Sequence, residues 1–94
     1  MLQMRIARRF VISGRVQGVG FRWFARDAAM REGVTGWVMN LPDGRVEAFV
    51  EGDEEAVTRV ERALRSGPPG GRVQHVTVID EDPTSNLTDF AIRH

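Results

Sequence analysis

Ninety-four residues set the scale of one domain with one core, because a chain this short buries only ~60 to 65% of its unfolded surface. Thirteen arginines, with no lysine, balance 13 acidic residues, which removes the basic field that drives non-specific nucleic-acid binding. The lack of cysteine excludes disulfides, thiol nucleophiles and thiolate metal sites. No stretch approaches the ~18 apolar residues of a membrane span, and Met1-Leu2-Gln3-Met4-Arg5 has no signal-peptide character. A cytoplasmic protein that binds neither nucleic acid nor membrane is expected.

Residues 1–5 are expected to fray, with Met4 an alternative start, and strand one to run from near Ile6 to Ser13. Its alternation sets Phe10 and Ile12 on one face and Arg9 and Val11 on the other. After a glycine-rich link, Phe21 to Glu32 has helical period: Phe21, Phe24, Ala25, Ala28 and Ala29 share a face, while Trp23, Arg26, Asp27 and Met30 point away. Gly33 supplies the stop. Val34 to Asn40 is rich in β-formers, Leu41-Pro42-Asp43-Gly44 is a hairpin turn, and Arg45 to Glu51 is strand three. In that strand Val46, Ala48 and Val50 face inward and Arg45, Glu47 and Glu51 face water, a polar set interrupted by Phe49.

Gly52-Asp53-Glu54-Glu55 starts a second helix, which carries Val57, Val60 and Leu64 inward before Arg65; Gly67-Pro68-Pro69-Gly70-Gly71 ends it. Val73 to Asp80 is strand four, Glu81 to Leu87 a polar loop, and Thr88 to Arg93 a short last strand. The order is β-α-β-β-α-β plus a C-terminal strand. Two helices with one apolar face each then imply an α+β, ferredoxin-like sandwich: an antiparallel sheet with both helices on one side, formed by residues 1–94 as a single domain. By parity the open side carries Trp37, Met39, Glu47 and Phe49.

The chemistry concentrates in Gly14-Arg15-Val16-Gln17-Gly18-Val19-Gly20-Phe21-Arg22, between strand one and the first helix. Its glycines allow positive φ and leave their N–H groups unshielded, so amides can converge on an anion. The helix N-terminus and the forked cation of Arg22 add to that. The same glycines also suit a tight connection with no ligand, and the residues alone leave both readings open. No Gly-Lys-Ser/Thr follows, which excludes a Walker A loop, and Trp23 sits where a dinucleotide fingerprint needs its third glycine. Tyrosine is absent, His75 and His94 are far from the loop in sequence, and no acidic or histidine cluster has metal-ligand spacing. Asn40, at the end of strand two, either starts the following turn or reaches a ligand. Arg15 and Gln17 read as solvent-facing side chains.

These blocks together, with Gly36-Trp37-Val38-Met39-Asn40, Asp43-Gly44-Arg45-Val46-Glu47, Gly67-Pro68-Pro69 and Phe90-Ala91-Ile92-Arg93, resemble the acylphosphatase family, from about Arg8 almost to the end. The resemblance implies metal-independent, cofactor-free hydrolysis of acyl phosphates to carboxylate and phosphate by a stand-alone monomer. It implies Arg22 as the catalytic arginine, Asn40 as the residue that orients water, and the backbone of Gln17, Gly18, Val19, Gly20, Phe21 and Arg22 as the phosphate cradle, which would also take inorganic phosphate or sulfate. Met39, Gly71 and His94 depart from the commonest family pattern, all outside the implied site. The alternatives are a non-catalytic anion-binding or regulatory module of the same fold, as in a larger carbamoyl-transferring maturation factor, and an RNA-binding domain. The chain's end at residue 94 weighs against the first, and Glu47 and Glu51 beside Trp37 and Phe49 against the second.

Overall fold

A computed structural model describes residues 4–94; Met1 to Gln3, within the stretch expected to fray, lie outside the described residues. The chain runs β1 (Arg5–Arg15), α1 (Phe21–Glu32), β2 (Thr35–Asn40), β3 (Val46–Asp53), α2 (Glu54–Ser66), β4 (Arg72–Glu81) and β5 (Phe90–Arg93). The strands form one sheet in the order β4-β1-β3-β2-β5. Both helices pack on one face, the ferredoxin-like arrangement. The first four strands pair antiparallel, and β5 adds at the edge in parallel to β2. Parallel pairing is possible there because the segment after β4 is long enough to cross the sheet before β5 begins.

Alternation dictates the core. Phe10 and Ile12 from β1, Val38 from β2 and Val46, Ala48 and Val50 from β3 meet Phe21, Ala25 and Ala29 of α1 and Val57, Val60 and Leu64 of α2 in one buried cluster. Each fully buried Val, Leu or Phe contributes about 1.5 to 3 kcal/mol relative to exposure. The alanines of α1 bring its backbone close to the sheet. Gly33, left-handed with φ 70°, ends that helix by donating its N–H to carbonyls of the last turn. Phe24, expected on the buried face, is half-exposed.

Other sequence expectations change as well. β1 starts at Arg5, inside the stretch expected to fray, because Arg5 sits opposite Asp53 and the Met4 carbonyl accepts the Glu54 N–H at 2.9 Å. Another concerns the side of the sheet away from the helices, which is only partly open. Glu51, expected to face water, is 0% exposed beneath the polar loop that follows β4. Its carboxylate accepts from the Thr84 N–H (2.9 Å), the Thr84 hydroxyl (3.0 Å), the Ser85 N–H (2.8 Å) and the Arg5 Nε (3.1 Å). Burial pushes the Glu51 pKa up, but these donors outweigh it and hold the group below its ordinary range. Ser85 adopts φ 58° to present its N–H. Phe49 is likewise buried and stacks on Trp37 at 6.2 Å between centroids, with the Arg93 guanidinium over the outer ring at 4.9 Å.

Candidate active site

The end of β1, the N-terminus of α1 and the end of β2 meet at one corner of the molecule. There the loop after β1 alternates its backbone handedness: Gly18 and Gly20 have φ 74° and 77°, while the non-glycine residues between and beside them keep negative φ. Such alternation turns successive N–H groups toward a common point. A Cβ on either glycine would meet nothing within 4 Å, so backbone conformation, not space, requires glycine here. None of the N–H groups of Gly18, Val19 and Gly20 is taken by another group among the described residues. Gly20 is also the left-handed cap of α1, without a side-chain cap on the helix N-terminus, so the first-turn N–H groups add their positive field to the same point.

A pocket of about 250 Å³ lies at this point, walled by Gly18, Gly20, Phe21, Arg22, Trp23 and Asn40, with Val16 at its floor. No carboxylate lines it. Arg22 is steadied from one side only. Its Nη1 donates to the Arg93 carbonyl at 3.2 Å and lies 3.1 Å from Nδ1 of His94, leaving the Nε and Nη2 edge for a bidentate anion contact. A histidine expected to have no fixed surroundings thus stands beside the loop arginine.

The Asn40 amide makes no side-chain hydrogen bond among the described residues, and the adjoining turn closes without it. Leu41 N–H donates to the Arg45 carbonyl at 2.8 Å, and Asp43 accepts the Arg45 N–H at 3.1 Å. That bond, with the Arg45 guanidinium, lowers the Asp43 pKa. Asn40 is left to face the pocket. Gln17, read as solvent-facing, instead donates its amide to the Leu41 carbonyl at 2.8 Å and the Arg45 carbonyl at 2.9 Å. It ties the loop to the base of the β2–β3 hairpin and so fixes the span between loop and Asn40. Nothing in its spacing announces that reach. Arg15 stays exposed.

A larger hollow of about 530 Å³ lies between α2 and β4. Most of its charges are already partnered, with Arg8 paired to Glu61 and Asp80 and Arg65 to Glu61, and no glycine loop or helix start faces it. The smaller pocket has the unpartnered backbone N–H groups.

Comparison with known proteins identifies the family. The acylphosphatase family profile matches residues 8–92. An acylphosphatase of Anaeromyxobacter dehalogenans is 54% identical over 89 residues, 95% of this chain and 96% of that one. The crystal structure of acylphosphatase from Bacillus subtilis superposes with a TM-score of 0.91 at 36% identity, covering 95% of this chain and 99% of that one. Full-length HypF, in a phosphate- and nucleotide-bound form, contains the same fold in 12% of its length, with a TM-score of 0.86 and 27% identity over the whole of this chain.

Proposed function

Since this chain belongs to the acylphosphatase family and is an acylphosphatase, we propose that the phosphate of its acyl phosphate substrate lies in the loop from Gln17 to Arg22, with Arg22 and Asn40 as the catalytic residues. The observation that carries this reading is the meeting, in one pocket, of unpaired loop N–H groups, a free guanidinium edge and an uncommitted amide.

An acyl phosphate is a mixed anhydride whose carboxylate leaves without protonation, so no general acid is required. Water attacks phosphorus in line with the leaving oxygen; the new P–O bond forms as the bond to the acyl oxygen breaks, and the carboxylate departs with the electron pair. Loop amides and the Nε and Nη2 groups of Arg22 hold the equatorial oxygens, where charge must be stabilised as the bonds exchange. Asn40 holds the attacking water through its side-chain oxygen, and the water proton passes to a phosphate oxygen of the substrate. Positioning and electrostatics suffice.

The same reading takes the enzyme to be a cytoplasmic monomer that needs no metal or cofactor and has no nucleic-acid partner. The balanced charge and the Trp37–Phe49 pair, capped by Arg93 on its far face, support it. No helix among the described residues is long and apolar enough to cross a membrane.

Inorganic phosphate tests the placement directly. It should compete with acyl phosphate and shift the amide signals of residues 17–22 in an NMR titration, with a chelator changing neither rate nor inhibition. Phosphate that inhibits non-competitively, or that leaves those signals in place, would remove the cradle.

A further inference from the structure

One side chain in the pocket wall has no part in the mechanism above. Trp23 follows Arg22 directly, lines the same pocket and is 58% exposed. The other apolar side chains of the wall are out of reach, since Val16 is 1% and Phe21 2% exposed, and Gly18 and Gly20 have none. Trp23 is therefore the one residue of the wall with a sizeable exposed apolar side chain. It is also held in place. The guanidinium carbon of Arg26, one turn along α1, lies 4.9 Å from the ring centroid, a cation–π contact that engages one ring face while the residue as a whole stays exposed. The Arg26 Nε is buried without a hydrogen-bond partner among the described residues, so the stacking contact is what orients that end of the side chain.

In-line displacement puts the attacking water and the leaving carboxylate on opposite sides of phosphorus. With the equatorial oxygens on the loop and Arg22 and the water on Asn40, the wall left for the acyl group is Trp23. We propose that Trp23 is a specificity-determining residue whose indole receives the acyl group, so that the enzyme favours acyl phosphates with a flat aromatic acyl group over those with a short aliphatic one. This rests on the phosphate placement given under the proposed function. The substrate is then read at two points, phosphate by the loop and acyl group by the indole.

The test compares benzoyl phosphate with acetyl phosphate on wild type, Trp23→Ala and Trp23→Phe. The ratio of the two kcat/KM values is followed from enzyme to enzyme, so the intrinsic reactivities of the substrates cancel. Loss of an aromatic stacking partner should lower the benzoyl-to-acetyl ratio about five- to tenfold in Trp23→Ala, mainly through KM for benzoyl phosphate, and Trp23→Phe should restore most of it. A ratio unchanged in Trp23→Ala, or a Trp23→Phe as deficient as Trp23→Ala, overturns the proposal. If Trp23→Ala failed to fold by circular dichroism, Trp23→Leu, which keeps bulk without a ring, would decide the same ratio. Competition by inorganic phosphate separates the two readings. Phosphate that does not compete with wild type removes the placement, whereas normal competition with an unchanged ratio removes Trp23 alone.

Discussion

Twice in this molecule, backbone N–H groups and an arginine gather around one point. Beneath the loop after β4, the amides of Thr84 and Ser85 and the side chain of Arg5 close on Glu51. At the start of α1, the amides of the glycine loop and Arg22 converge on a pocket that no carboxylate of the chain lines. The first cradle is neutralised from within and becomes structure, fastening the loop to the sheet. The second keeps its donors toward solvent, where they cost little and remain available. An anion site is thus distinguished less by its donors, which both places have, than by whether the chain supplies the acceptor itself.

Arg22→Ala should separate the two cradles most. Removing one preorganised donor of this kind typically lowers rate ~10² to 10³-fold, so kcat/KM on benzoyl phosphate should fall by that much. Stability by urea titration should stay within about 0.5 kcal/mol of wild type. Asn40→Ala should lose on the order of 10²-fold in kcat while phosphate still inhibits near its wild-type constant. Full turnover would return Asn40 to an ordinary strand-end residue.

At the filled cradle the effect moves from rate to stability. Glu51→Gln leaves charged and neutral donors facing an amide and should cost about 2 to 4 kcal/mol in urea unfolding, with kcat little changed. A comparable loss of kcat would show that the two cradles are coupled. Because the folded-state pKa of Glu51 lies below the ordinary glutamate value of 4.5, its stabilisation is complete above that value and disappears as pH falls through the folded one. Wild type and Glu51→Gln should therefore converge in stability on acidification, and a gap that persists at the lowest accessible pH would contradict the assignment.

The smallest change is expected at Gln17. Gln17→Ala loses two hydrogen bonds to the hairpin, each worth about 1 kcal/mol, and should slow turnover several-fold through loose Asn40 placement without abolishing phosphate binding. Stopped assays and phosphate inhibition on one preparation would show whether the loss lies in kcat.

What the sequence made legible was periodic. α1 was readable to both ends because its apolar positions recur at helical spacing, Gly20 opens it and Gly33 closes it. The parity of Phe10 and Ile12 told which face of β1 is buried. The loop glycines and Arg22 stood out by composition, and Asn40 by its place at a strand end. What stayed hidden was long-range. Alternation assigns Glu51 correctly to the side away from the helices, but contains nothing about a loop more than thirty residues away folding back over it. The partners of Gln17 lie across a hairpin, and the support of Arg22 comes from the far end of the chain. Irregular backbone has no period to read.

The sheet order has a consequence for how the enzyme is made. β1, the first strand of this sheet in chain order, is an interior one, and both its hydrogen-bonding edges wait for later partners: Ala7 ends opposite Glu51 on one side and Glu81 on the other. At ~5 to 20 residues per second of synthesis, those edges stay unpaired for seconds, and topologies dominated by such distant pairings close slowly in any case. The glycine loop hangs from the end of that strand. Although its residues are contiguous, the supports of that loop come later in the chain, Leu41 and Arg45 for Gln17 and Arg93 and His94 for Arg22, so this corner is among the last parts of the domain to take shape.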